Sequence, residues 1–222
     1  MLYEVAHAVI PPLAKALWRP AVEGLDNIPE TGPVILASNH LSFVDSMVIP
    51  VVVPRRVVFL AKSDYFTGTG LKGALTRGWF EAMGMVPVDR DDTRAAIASL
   101  DIALDVLGRG EAFGIYPEGT RSRDGRLYRG RTGVGHLALT SGAPVVPVAL
   151  EGTEKLQPVG SRVPRRAPVT VRFGRALEFD GRYDGVSAGR ARREITDEVM
   201  VAIHALSGQE LAGTYNERPS DT

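Results

Sequence analysis

A chain of 222 residues fits one hydrophobic core and leaves no room for a second full domain. Hydrophobic residues make up 44% of it and charged residues 23%, which excludes both wholesale disorder and a bundle of membrane spans. The 26 Lys and Arg cancel the 26 Asp and Glu, so no nucleic-acid partner is expected and any anion site must be local.

Within that balance Arg outnumbers Lys 22 to 4, a bias that suits phosphate recognition and is equally produced by a G- and C-rich genome. The absence of cysteine removes disulfides, thiol nucleophiles and Cys-bound metals. The four histidines, His7, His40, His136 and His204, have no H-x-x-x-H spacing, so no metal site is expected.

In chain order, residues 1–21 come first. Leu2, Val5, Val9, Leu13, Ala16 and Leu17 line one face of an amphipathic helix. Glu4, His7, Lys15, Arg19 and Pro11-Pro12 interrupt it, so it is no membrane span, and no basic region precedes an apolar stretch as in a signal peptide. Two roles stand open: lying in a membrane interface with Trp18 and Arg19 at the polar boundary, or covering the protein's own core.

Short apolar runs then alternate with helical patterns, which predicts an α/β domain over residues 22–207. The expected architecture is a single mixed, mostly parallel sheet flanked by helices. Strands are predicted at Pro33 to Ser38, Val57 to Ala61, Met85 to Val88, Ala112 to Tyr116, Val145 to Leu150 and Val169 to Phe173. Helices are predicted at 93–107, with Ile97, Leu100, Leu104 and Leu107 as its apolar stripe, at Gly133 to Thr140, and at Ser187 to Leu206 behind a Ser187 cap. The polar tail, residues 208–222, is expected to fray.

Four segments carry chemistry. The first is Asn39-His40-Leu41-Ser42-Phe43-Val44-Asp45, after the apolar strand at Val34 to Ala37. A His at a strand end can take a proton from a hydroxyl while a carboxylate fixes its tautomer. On a regular helix His40 and Asp45 would stand about 140° apart, so they pair only if His40 lies in the turn and Asp45 in the first helical turn. The same letters read as a capping box, Ser42-x-x-Asp45, and both readings stand.

The second segment is Tyr116-Pro117-Glu118-Gly119-Thr120-Arg121, again at a strand end, followed by Arg123, Arg126, Arg129 and Arg131. It reads as a phosphate cradle or as a solvated Arg-rich turn. The third, Gly84 to Arg90, delivers Arg90 to the same sheet edge, where it reads as an anion ligand or as an exposed salt-bridge partner, and the fourth, Pro144 to Val148, is a buried strand with prolines where no ladder donor is needed.

In this order the four segments resemble the glycerolipid acyltransferase family typified by 1-acylglycerol-3-phosphate acyltransferases. Its H-x4-D motif corresponds to His40 to Asp45, its G-x-x-x-[IV]-x-R motif to Gly84 to Arg90, its E-G-T-R motif to Glu118 to Arg121, and its Val/Pro motif to Val145 to Val148. The likeness covers about residues 22 to 150. After E-G-T-R the chain departs from it, with Gly130-Arg131-Thr132-Gly133 in place of an aromatic-Lys-x-Gly run.

The resemblance implies His40 as general base and Asp45 as the residue that orients it. It implies Arg90, Glu118, Gly119, Thr120 and Arg121 on the acceptor-phosphate side, with Glu118 shaping the loop, and Asn39, Ser42, Lys62 and Arg131 in support. Backbone amides at the start of the helix after His40 are the expected oxyanion donors. The implied partners are acyl-CoA or acyl carrier protein as co-substrate, a lysophospholipid acceptor and a membrane surface at the cytoplasmic face, with no metal or redox cofactor.

Competing readings are an acyltransferase acting on another lipid acceptor, an acyl-CoA thioesterase, a lipid-binding module without turnover, and an NAD-binding oxidoreductase suggested by Gly68-x-Gly70-x-x-Gly73. Because acceptor and product are both bilayer amphiphiles, the implied function favours the membrane interface for the N-terminal segment. Deleting residues 1–19 should release the protein from liposomes in a cosedimentation assay, and unchanged cosedimentation would refute that role.

Overall fold

The computed structural model describes residues 20–82, 84–88, 93–161, 163 and 165–217. The expected N-terminal helix, apart from its last two positions, and Arg90 lie outside the described residues.

Strand β2 (Val34–Ser38) is buried along its whole length, which follows from its place at the centre of the sheet with both faces covered. Its side chains divide between two cores by the period of two: Val34 and Leu36 join one cluster, Ile35 and Ala37 the other. Around it seven strands form one sheet in the order β1-β7-β6-β2-β5-β3-β4, with β1 at Ala21–Glu23, β3 at Val57–Lys62, β4 at Met85–Val88, β5 at Ala112–Ile115, β6 at Val145–Glu151 and β7 at Thr170–Phe173. Every pair is parallel except β6 with β7, so the expected mixed, mostly parallel sheet is present.

Among the helices, α1 (Asp45–Val52) packs on the first core; α3 (Thr93–Gly108), α4 (Gly133–Ser141) and α6 (Ala188–Ser207) cover the second. Helix α2 (Gly70–Ala82) and the single turn α5 (Thr153–Leu156) complete the chain order.

The structure differs from the sequence expectations at several points. Ala21 opens edge strand β1 instead of closing a helix, after Pro20, whose missing N–H and fixed φ suit a helix interior poorly. The stripe of α3 holds for Leu107, which is buried, and for Leu100 and Leu104, which pack part-buried against the second core beside Ala103 and Val106, but Ile97 stands 58% exposed. Ser187 precedes α6 but makes no side-chain cap. The Gly68, Gly70 and Gly73 pattern falls at the start of α2, and the 3-10 turn Ser63–Tyr65 separates it from β3, so the strand-to-helix junction of a dinucleotide fingerprint is absent there.

The tail is the largest departure. Residues 208–217 do not fray: Leu127 N donates to Glu210 O at 2.8 Å, Ala212 N to Leu127 O at 2.9 Å and Arg129 N to Thr214 O at 2.9 Å. Backbone pairing holds a polar segment that has little apolar surface to bury.

One local packing feature prepares the site. β3 pairs with β5 only at Val57↔Ala112 and Val58↔Phe113, after which Phe59–Lys62 pair with β4. The strands therefore diverge toward their C-terminal ends, and Phe59 fills the gap with its ring over Gly114, where any Cβ would overlap that ring. Gly114→Ala should displace Phe59 and lower unfolding free energy by about 1 to 3 kcal/mol in a urea titration; unchanged stability would mean the ring has another place to go.

Candidate active site

His40, Asp45 and Glu118 meet where neighbouring strands β2 and β5 end. Helix α1 begins at Asp45, so His40 lies in the preceding turn, the arrangement that lets the pair meet. His40 Nδ1 is 2.8 Å from Asp45 Oδ2. The same oxygen accepts from Leu41 N at 2.7 Å and Ser42 N at 2.8 Å. Asp45 is wholly buried, and with three donors on one oxygen its carboxylate takes Nδ1–H, which leaves the lone pair on Nε2.

This geometry merges the two sequence readings. Asp45 holds the turn as well as the imidazole. The Ser42 hydroxyl, however, donates to Gln157 O at 2.9 Å instead of capping α1, whose N-cap residue, Val44, makes no side-chain bond. The Leu41 and Ser42 amides, which precede the helix, are engaged by Asp45.

Asn39, one residue upstream, is fully buried and extends the β2–β6 ladder with its side chain. Its Oδ1 accepts from Leu150 N at 2.8 Å and its Nδ2 donates to Leu150 O at 3.0 Å and to Gln209 Oε1 at 2.8 Å. This fixes the direction in which the chain leaves β2 toward His40.

The loop after β5 grips His40 from the other side. Ser122 N donates to His40 O at 2.7 Å, and His40 N donates to Glu118 Oε1 at 3.1 Å. Glu118 Oε2 accepts from Tyr128 N at 2.9 Å. Glu118 has no exposed surface and braces backbone on both sides, so on the phosphate side it acts by shaping the loop and not by touching an anion.

Gly119 has φ +79°, in the left-handed region, and Arg131 packs against it: a Cβ there would stand 3.0 Å from Arg131 Cδ. Thr120 is half-buried, while the Arg121 and Arg131 side chains are exposed at the loop's rim. Lys62, at the C-terminal end of β3, forms an ion pair with Asp64 at 2.7 Å.

Tyr116 is the site residue the sequence reading missed. Its ring lies flat on His40, centroids 3.8 Å apart and planes 9° from parallel, and its hydroxyl is 2.9 Å from Ser46 Oγ. Phe59 supports it from behind at 5.5 Å, so Gly114, Phe59, Tyr116 and His40 form one packed series. The available signal was an aromatic residue immediately after a buried strand and before Pro117-Glu118-Gly119.

Beside Tyr116 a largely apolar cavity of about 340 Å³ opens between α3 and the diverging ends of β3 and β5, lined by Phe59, Leu60, Leu100 and Ile115, with Gly119 and Arg131 at its polar end.

Burial pushes the Glu118 carboxyl up to about 7 from 4.5, against the pull of the Tyr128 and His40 amides, with the charges of Asp45 and Asp124 adding to the rise. A folded-state value above the unfolded one means that the group's contribution to stability is full below about pH 4.5 and is lost as pH rises through about 7. Glu118→Gln, which cannot titrate, should therefore cost less stability at about pH 8 than at about pH 5 in paired denaturation curves; an equal cost at both would remove burial as the dominant influence.

The Acyltransferase family model matches residues 19–151. Over 143 residues the chain is 36% identical to the chloroplastic 1-acyl-sn-glycerol-3-phosphate acyltransferase of Arabidopsis thaliana, a match covering 63% of this chain and 38% of that protein. It is 32% identical over 132 residues to the 1-acyl-sn-glycerol-3-phosphate acyltransferase of Borreliella burgdorferi, covering 60% of this chain and 51% of that one. The chain thus spans about two-fifths to one-half the length of these curated relatives. Its fold is similar to the crystal structure of the 1-acyl-sn-glycerophosphate acyltransferase PlsC from Thermotoga maritima, with a TM-score of 0.68 at 24% identity, covering 92% of this chain and 78% of that one. The family match takes in β2, β5 and the strand ends that unite His40, Asp45 and Glu118, and it spans more than half of the chain, which makes this protein a member of the acyltransferase family.

Proposed function

We propose that this protein transfers a fatty acyl group from the thioester of acyl-CoA or acyl carrier protein to the free hydroxyl of 1-acylglycerol-3-phosphate, giving phosphatidic acid. The observation that carries the reading is the His40–Asp45 pair, its Nδ1 side occupied by the carboxylate, seated beside the E-G-T-R loop. The names of the curated relatives support this acceptor.

His40 Nε2 removes the hydroxyl proton as the oxygen attacks the thioester carbonyl. Asp45 stabilises the resulting imidazolium and keeps the ring from turning. Collapse of the tetrahedral intermediate breaks the C–S bond, and His40 returns its proton to the departing thiolate, so proton and electron pair both balance. Tyr116 confines the imidazole to one plane, which reduces the orientational freedom lost at the transition state.

Arg121 and Arg90, with Gly119 and Thr120, take the acceptor phosphate, Arg121 by virtue of its exposed guanidinium beside the His40 backbone clamp. The apolar cavity next to Tyr116 suits an acyl chain. Among the described residues no helix is long and apolar enough to cross a membrane. Contact with the cytoplasmic face of the bilayer is assigned to residues 1–19, in keeping with their apolar stripe.

The test is thiol release from palmitoyl-CoA by wild type and His40→Ala, with and without lysophosphatidic acid, followed by mass analysis of the lipid. Release should require the lysolipid, yield phosphatidic acid and fall at least about 100-fold in the folded variant. Release independent of the lysolipid would make the protein a thioesterase, and full activity in His40→Ala would remove His40 from the chemistry.

A further inference from the structure

We infer that the C-terminal segment Gln209 to Asn216 is a positioning strap for the phosphate-binding loop, with Tyr215 and Asn216 setting the affinity for the phosphorylated acceptor. The inference rests on the phosphate role proposed for residues 119–121. The strap lies beyond the region matched by the family model.

The strap runs beside residues 120–131 and is fixed at both ends. At the first, Gln209 links the catalytic strand to the loop: its Oε1 accepts from Asn39 Nδ2 at 2.8 Å and its Nε2 donates to Gly125 O at 2.7 Å. In the middle, Leu127 and Arg129 pair with the strap backbone. At the second, Asn216 Nδ2 donates to Arg121 O at 3.0 Å and to Thr120 O at 3.5 Å. Two carbonyls of the E-G-T-R segment are thereby turned toward the strap and away from any anion on the opposite side.

The guanidinium contacts give the strap a function beyond packing. The Arg131 guanidinium carbon lies 5.7 Å from the Tyr215 ring centroid and that of Arg129 5.1 Å from it. Arg131 Nη2 also donates to Asn216 O at 3.2 Å. Arg193 Nη1 donates to Gly130 O at 2.8 Å and reaches the Tyr215 hydroxyl at 3.3 Å, tying ring and loop to α6.

These contacts hold cations with a π face and a carbonyl oxygen. A carboxylate in either place would fix the side chains equally well and cancel their charge. The strap fixes Arg131 against Gly119, at the polar end of the cavity, and leaves its positive charge available to a phosphate.

The experiment uses the full chain and three variants, Asn216→Ala, Tyr215→Leu and Tyr215→Phe. Asn216→Ala and Tyr215→Leu should each raise KM for lysophosphatidic acid about tenfold, leave kcat and the KM for palmitoyl-CoA within about twofold, and hasten amide hydrogen exchange in residues 119–125. Tyr215→Phe keeps the ring that faces Arg129 and Arg131 and gives up only the 3.3 Å contact with Arg193, so its KM for lysophosphatidic acid should stay within about twofold of wild type.

An unchanged KM for the lysolipid, an equal rise in both KM values, or Tyr215→Phe as defective as Tyr215→Leu would overturn the strap. If the wild type acylates no lysophosphatidic acid, the proposed acceptor fails, and calorimetric binding of glycerol 3-phosphate decides the strap. Weaker binding in the first two variants alone would sustain it. Equal binding in all, or none to wild type, would overturn it.

Discussion

A single carboxylate oxygen, Oδ2 of Asp45, receives the imidazole of His40 and the backbone amides of Leu41 and Ser42. Three donors on one buried acceptor fix the turn and the ring together, so the backbone cannot shift without disturbing the tautomer of His40. Burial of an ionised side chain is costly unless its charge is met, and this one is met by two amide dipoles and an imidazole N–H. The other oxygen, Oδ1, is buried and has no hydrogen-bond partner among the described residues, which concentrates the carboxylate's interaction on the functional side.

Around that oxygen the site is assembled from backbone groups of two adjacent strand ends. His40 donates its amide to Glu118 and gives its carbonyl to Ser122, while Glu118 also holds Tyr128. The base and the loop beside it therefore cannot move independently. Each Glu118 oxygen accepts one of the two amides, so a single side chain spans both backbones. Burial raises the proton affinity of Glu118 to near neutrality, so this brace carries an energetic cost that the loop's other contacts must offset.

Much of this was legible in the sequence because the signals were strong and local. β2 and β6 are continuous apolar runs, and only a strand covered on both faces sustains such a run. The five-residue spacing of His40 and Asp45 admitted one pairing geometry, a turn followed by a helix start, and that geometry is present. Elements stabilised by distant partners were not legible. Tyr116 matters through its stacking on a residue 76 positions earlier in the sequence, and nothing in its own neighbourhood indicates that. Helix α2 begins in a Gly-rich segment of low helix propensity, and the tail is polar but spends its polar groups on another segment's backbone. Ile97 shows the limit of periodicity, since α3 offers a wide apolar face and the sheet selects which part of it is buried.

The departure of the chain from the aromatic-Lys-x-Gly pattern and the ordering of its tail have one physical explanation. Arg131 stands at the altered run, and its guanidinium is planar, so it can lie over an aromatic ring while its edge still donates a hydrogen bond. A lysine ammonium is a compact, strongly hydrated point charge and would gain less from the Tyr215 face and have no edge to share with the Asn216 carbonyl. Arg131 and the Tyr215-Asn216 pair are therefore suited to each other, although 84 positions separate Arg131 from Tyr215 in the sequence. A loop carrying Arg121, Arg123, Arg126, Arg129 and Arg131 repels itself, and its fixed shape requires restraints that do not neutralise the charge. Asp124 answers Arg126 through an ion pair at 2.7 Å, whereas the tail meets Arg129 and Arg131 with the Tyr215 ring and the Asn216 carbonyl, contacts that hold a guanidinium without cancelling its charge.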